Sequence, residues 1–298
     1  MTQINHNRQN PVYPAQQQRR PQKKRTGCCG CLPIIFILLI SGICLAVYLI
    51  APLSSNILIL GIDYTEPGSS LGRSDTIILT TIDPFEPYIG MLSIPRDLWV
   101  MIPGVGENRI NTAHYFAEIQ EKDSGPRAAI VTIETNFRVN VDNYIRIKFE
   151  GFREMVTAMG GVDIELSKPM AGYPPGKYHL KGRKALAFVR HRQNSDDFFR
   201  MENGQFMVKQ VILQMLNPIN WPRLPAVMST FSNYVDTDIP TWLWPRLIFA
   251  ILRTGPDGID SRTINRDMTT PVITEAGANV LIPDWSRINP VIIEMFGQ

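Results

Sequence analysis

Three short apolar runs, at residues 56–62, 76–82 and 88–94, are separated by turn-forming stretches at 66–72 and 83–87. Runs of this length bounded by Gly, Pro and Asp predict strands of one sheet. Further along, Phe149, Phe152, Val156 and Met159 recur at helical spacing before Gly160 and Gly161, which predicts a helix with a glycine terminator. Residues 162–166 restart as a strand, 169–177 form a turn-rich loop, and 185–192 alternate in a way that predicts another strand. Residues 201–216 read as a helix with Met207, Val211 and Met215 on one face. No repeat interrupts this order. Alternating strand-like and helix-like pieces imply an α/β fold with a mixed central sheet flanked by helices.

One stretch has no such pattern. Residues 32–50 read LPIIFILLISGICLAVYLI, nineteen residues without a charge. At about 1.5 Å per residue such a helix spans a hydrocarbon core of roughly 30 Å, so one transmembrane helix is expected here. No small-residue cleavage pattern follows it, and Ile43 precedes Cys44, which disfavours a cleaved signal peptide or a lipoprotein signal. The later apolar segment 242–253 is about half as long as a span requires and contains Pro245 and Arg246, so it is expected to be a core helix.

Charge now changes the picture. The formal net charge is +3, yet residues 1–31 carry six Lys or Arg and no acid, leaving residues 32–298 with 24 basic and 27 acidic side chains. The basic surplus therefore belongs to the tail and gives no reason to expect a nucleic-acid partner. A Gln-, Asn-, Pro- and Arg-rich tail lacks the apolar residues to offset the entropy of ordering, so 1–31 is expected to be a disordered cytoplasmic segment. Basic residues stay inside, which places 51–298 as an extracytoplasmic domain of a single-pass protein of the cell membrane. Cys28, Cys29, Cys31 and Cys44 all lie in or beside the span, so disulfides play no part in the exterior domain.

The ends of the predicted strands carry the candidate chemistry. Asp63 follows the first run, Arg73 and Asp75 precede the second, and Arg96 and Asp97 follow the third. Charges placed at successive strand ends point to one site at the sheet rim, where ligands of open α/β sheets collect. Read as a strand, 185–192 puts Arg190 and Arg192 side by side on one face with His191 on the other. Two guanidinium groups on one face call for a shared anion, and their planar forks match phosphate oxygens. With Arg73, Arg96, Arg109 and Arg200 as further contributors, a pyrophosphate suits the site better than a carboxylate. Asp63 and Asp75 are then suited to hold Mg2+ or another divalent ion, which takes carboxylate and phosphate oxygens and needs neither Cys nor His.

These residues lie within stretches that resemble the LytR-CpsA-Psr family of cell-wall glycopolymer ligases: NILILGID at 56–63, GRSDTIIL at 72–79, MLSIPRDLWVMIPG at 91–104, RINTAHYF at 109–116, FEGFREMVTAMGGVDIE at 149–165, GKYHLKGRKALAFVRHR at 176–192 and DDFFRMENGQ at 196–205. The resemblance implies that Asp63 and Asp75 are a magnesium-binding pair. It also implies that Arg73, Arg96, Arg109, Arg190, Arg192, Arg200 and Gln205 bind pyrophosphate, and that Asp97 orients its neighbouring arginine or assists at the metal. The family's R-x-x-R-Q-Q ending is incomplete, because Asn203 and Gly204 stand where it has Arg and Gln. The resemblance further implies an apolar pocket for a polyprenyl chain, with Phe149, Phe152, Val156, Met159, Phe206 and Met215 as candidate lining.

The implied activity is transfer of a glycopolymer from a polyprenyl pyrophosphate carrier to peptidoglycan. A wall hydroxyl attacks the carrier's sugar phosphate and polyprenyl phosphate leaves, with Asp75, Arg96 and Asp97 as the catalytic set. Two alternatives stay open at this stage. One is a pyrophosphatase acting on the same carrier, and the other is a non-catalytic, membrane-anchored glycolipid-binding or signalling protein.

Overall fold

The structure, a computed structural model, describes residues 31–51, 54–64, 72–191 and 197–297. The expected disordered tail at 1–30, the turn at 65–71, the side chain of Asp63 and the whole of Arg192 lie outside the described residues.

In chain order the elements are α1 (Cys31–Ile50), β1 (Ser55–Tyr64), β2 (Gly72–Asp83), β3 (Tyr88–Ser93), β4 (Trp99–Ile102) and β5 (Gly106–Arg109). Helices α2 (Thr112–Gln120) and α3 (Gly125–Phe137), strand β6 (Asn143–Lys148), helix α4 (Phe149–Ala158) and strands β7 (Val162–Leu166) and β8 (Gly176–Leu180) follow. Next come α5 (Gly182–Arg190), α6 (Asp197–Leu216), α7 (Leu224–Tyr234), β9 (Val235–Thr237) and α8 (Trp244–Thr254). The chain ends with β10 (Ile259–Thr263), β11 (Thr269–Ile273), β12 (Asn279–Pro283) and α9 (Trp285–Phe296).

Six strands form the central sheet in the order β10-β3-β2-β1-β6-β9. It is mixed: β1 runs antiparallel to β2 and parallel to β6, while β10 runs parallel to β3. The strands are apolar on both faces because both faces are covered. Leu58, Leu60 and Ile62 of β1 join Ile130, Ile133 and Phe137 of α3 and Ile288 and Ile292 of α9 in one core layer. Ile57 of β1 and Ile78 and Ile82 of β2 join Leu247 and Ala250 of α8 in the opposite layer. The segment 242–253 is thus a core helix, as its length and its Pro245 predicted.

A third apolar cluster lies beside the sheet, where α4, α5, α6 and α7 pack against the β7–β8 ribbon. Here the structure corrects one expectation: residues 182–190 form helix α5, in place of the strand expected over 185–192. The buried residues Ala185, Phe188 and Val189 recur at i, i+3 and i+4, a helical face, whereas the alternation of Leu186, Phe188 and Arg190 is incidental to it. The pairing of Arg190 and Arg192 on one strand face therefore falls. Arg190 ends the last turn of α5.

Helix α1 carries no charged residue. Its stretch Pro33–Ile50 is, among the described residues, the one helix long and apolar enough to cross a membrane. Residues 46–298 form one compact unit.

Close approach of α5 to α4 depends on Gly182, where an added Cβ would collide with the Thr157 hydroxyl and the Arg153 carbonyl. A backbone carbonyl cannot rotate away. Gly182→Ala is therefore expected to force the helices apart and destabilise the domain by about 1–3 kcal/mol, measured by thermal unfolding.

Candidate active site

The site is built around a break in the β1–β2 ladder. Ile62 pairs with Ser74 but Gly61 pairs with Thr76, so Asp75 is the extra residue of a β-bulge. Bulges re-aim a side chain out of the regular alternation and gather next to active sites. A side chain at Gly61 would not fit: its Cβ would lie 2.8 Å from Thr76 Cβ.

Because β2 and β3 are antiparallel, the start of one lies beside the end of the other, and Ile78 pairs with Ser93. Continuing that register past Pro95 brings Arg96 to Asp75, where Arg96 Nη1 donates to Asp75 Oδ1 at 2.9 Å. From the first turn of α6, Arg200 Nη1 approaches Asp75 Oδ2 at 3.8 Å. Arg200 is 7% exposed, and its Nη2 also faces the Asp75 carbonyl at 3.5 Å. Asp97 lies between two arginines, 3.4 Å from Arg96 Nε and 3.4 Å from Arg109 Nε. Arg109 also donates from Nη2 to the Asn279 carbonyl at 2.7 Å, tying β5 to β12.

Three more candidates lie on neighbouring elements. Arg73, exposed two residues before Asp75, has its guanidinium carbon 5.9 Å from the Tyr115 ring centroid. The backbone of Asp63 pairs with that of Arg73 across the ladder. Arg190 lies 5.3 Å over the ring of Phe149, and that ring's Cε1 is 3.8 Å from where a Gly61 Cβ would stand. Arg190 thus reaches the rim of the bulge by way of Phe149, from a helix terminus instead of a strand. Gln205 faces elsewhere: its Nε2 donates to the carbonyls of Met91 at 2.7 Å and Arg262 at 2.8 Å, clamping β3 to β10.

The apolar candidates also converge. Val156 and Met159 are buried in the cluster beside the sheet, and Phe152, Phe206 and Met215 pack against it. Phe149 begins the same helix, α4. Rings continue through the cluster from Tyr178 to Tyr173 at 5.0 Å, to Phe188 at 5.9 Å and to Phe206 at 5.9 Å.

Sequence reasoning missed the support beneath the start of β2. His114 and the Glu118 side chain are wholly buried, as is nearly all of Arg146. Arg146 binds Glu118 at 3.3 Å, Asp123 at 2.8 Å and Asp236 at 2.7 Å. His114 Nε2 lies 3.4 Å from Arg146 Nη1, and its Nδ1 lies 3.0 Å from the carbonyl of Gly72, next to Arg73. A guanidinium only donates and a carbonyl only accepts, so this imidazole is neutral with its proton on Nδ1. The available signal was weak: one His in a helix and one Arg in a strand, separated by 32 residues.

A profile of the LytR_cpsA_psr family matches residues 52–290. The chain belongs to that family. Its relatives include the polyisoprenyl-teichoic acid–peptidoglycan teichoic acid transferase TagU of Oceanobacillus iheyensis, 33% identical over 190 residues, covering 62% of this chain and 58% of that protein. TagU of Halalkalibacterium halodurans is 35% identical over 192 residues, with 62% and 60% covered. The chain thus spans about three-fifths of the length of these curated relatives. Among solved structures, Bacillus subtilis TagV superimposes with a TM-score of 0.67 at 22% identity, covering 83% of this chain and 98% of that one. At that identity the likeness establishes the shared LytR-CpsA-Psr fold.

Burial first, and then the Arg146 charge, push the His114 pKa below its ordinary 6.5. The unfolded chain therefore binds a proton near pH 6.5 that the folded chain refuses, so stability is full above that pH and declines below it. Across the interval below pH 6.5, until the folded-state imidazole itself takes up a proton, this one group lowers stability as the pH falls. In His114→Gln that part of the decline is expected to disappear, as read from melting temperatures across the same interval.

Proposed function

We propose that the protein is a membrane-anchored phosphotransferase that moves a glycopolymer from a polyprenyl pyrophosphate carrier onto peptidoglycan. The observation that carries this reading is the Asp75 carboxylate, displayed on a bulge and flanked by the guanidinium groups of Arg96 and Arg200. Arg109 shares Asp97 with Arg96, and with Arg73 and Arg190 as further contributors the positive charge suits two adjoining phosphates. Family membership and the relatives' names, which specify teichoic acid and peptidoglycan, agree with it. Helix α1 supplies a segment of the length an anchor needs.

In this reading the hydroxyl oxygen of the wall acceptor attacks the sugar-bearing phosphorus. The bond from that phosphorus to the bridging oxygen breaks, and polyprenyl phosphate departs with the bond's electrons. Asp75 accepts the hydroxyl proton. Arg96 and Arg200 meet the charge that grows on the phosphoryl oxygens, an electrostatic contribution that needs no nucleophilic side chain. Asp97, between Arg96 and Arg109, keeps both guanidinium groups in place. Arg190, seated on Phe149, marks where the pyrophosphate gives way to the apolar cluster, against which the polyprenyl chain lies.

The ion we propose for this site is magnesium, held by Asp75 and, as the family resemblance implies, by Asp63, both with hard carboxylate oxygens. When bound, the ion would neutralise charge on the phosphoryl oxygens.

Asp75→Asn and Arg96→Ala are each expected to lower transfer of glycopolymer from the lipid carrier to peptidoglycan by about 100-fold or more while the protein remains folded. Product analysis with the lipid pyrophosphate, peptidoglycan and Mg2+ checks this, with chelator as a second arm. Undiminished transfer in either variant would overturn the assignment.

A further inference from the structure

Helix α6 has two working faces. Arg200 turns to Asp75, while Phe198, Glu202, Gln205 and Lys209 follow one another at helical spacing on another side. That side borders three concavities. One, of about 570 Å³, lies between α6 and the chain that runs from Ser261 to Asp267. A second, of about 300 Å³, lies between α6 and residues 165–170. The third, of about 120 Å³, reaches Asn203 and His191, the residue after Arg190. Glu202 lines all three, Phe199 lines the first and third, and Lys168 lines the second and third. They are therefore segments of one groove, crossed by the Lys168–Glu202 ion pair at 2.6 Å.

Three properties specify an occupant. The groove is elongated, which suits a polymer strand more than a compact ligand. It combines exposed aromatic surface at Phe199, 42% exposed, with exposed planar polar groups on Asn265 and Asp267. Apolar ring faces and convergent donors and acceptors are what a sugar ring, with its C–H faces and hydroxyl edges, requires. Its charges also balance: Lys168, Lys209 and Arg266 against Glu165, Glu202 and Asp267. A polyanionic glycopolymer calls for a basic surface, whereas a balanced one suits a glycan without phosphates.

We infer that this groove holds a glycan strand of peptidoglycan, the polymer that accepts the transfer, and so docks the strand beside the site. The inference rests on the transfer reaction proposed above. It also accounts for the incomplete R-x-x-R-Q-Q ending, because Asn203, at the position of the missing arginine, is a groove residue with its amide donating to the His191 carbonyl at 3.4 Å.

The test uses the full chain in detergent and an N-acetylglucosaminyl–N-acetylmuramyl tetrasaccharide as probe, with binding read directly by ligand-observed NMR. Phe199→Ala and Asp267→Ala are each expected to weaken tetrasaccharide binding about tenfold, leaving lipid pyrophosphate binding and the melting temperature unchanged. Equal binding by wild type and both variants overturns the groove. So does preferential binding of a teichoic acid fragment that the same substitutions weaken. Tetrasaccharide binding with the expected losses, but no glycopolymer transfer by the wild-type protein, leaves the groove standing and removes the reaction instead.

Discussion

The contact between the Asp75 carboxylate and the Arg96 guanidinium joins the start of β2 to the segment leaving β3, and Arg200 adds α6 to the same point. Three separate stretches of chain are thereby held at one carboxylate. The geometry follows from a ladder irregularity: without the extra residue at Asp75, the antiparallel pleat would continue through the site. Each arginine pairs with Asp75 in a partly buried place, and Asp75 in turn permits two cations to approach one another. In the proposed reading, a phosphate would meet guanidinium groups that are already in position.

Beneath it, burial of Arg146, Glu118 and His114 follows another logic. Taking these groups out of water is costly, and only mutual pairing and full use of their hydrogen bonds offset that cost. Glu118 accepts from Arg146 and from the backbone N–H groups of Asp123 and Gly125, so its oxygens are satisfied. Such a cluster contributes specificity of arrangement more than net stability. Its output toward the site is one hydrogen bond, from His114 to the carbonyl of Gly72, which sets where β2 begins.

Much of this was legible beforehand, for identifiable reasons. The first three strands declared themselves through apolar runs between turn residues, and charges at their ends marked the rim where Asp75 and Arg96 meet. Helices α4 and α6 were visible in their apolar periodicity. Residues 182–190 misled because a short segment containing Leu186, Phe188 and Arg190 satisfies alternation, while its true burial follows Ala185, Phe188 and Val189. The bulge could not be foreseen either, since it is a property of the pairing of two strands and neither strand shows it alone. Long-range pairs such as His114 with Arg146 leave no local pattern at all. Gln205 was placed by its motif among the phosphate ligands, yet its amide is used on strand carbonyls, a choice only tertiary packing reveals.

That amide has a mechanical meaning. With its N–H groups fixed to Met91 and Arg262, and the Thr263 hydroxyl donating back to its carbonyl oxygen at 3.2 Å, Gln205 locks α6 against rotation about its own axis. A roll of the helix would have to break bonds to two strands at once. Anything gripping one flank of α6 is consequently registered, like a workpiece against a fence, at a constant offset from the carboxylate on the other flank. Whatever binds along α6 therefore meets a surface that cannot swivel relative to the sheet.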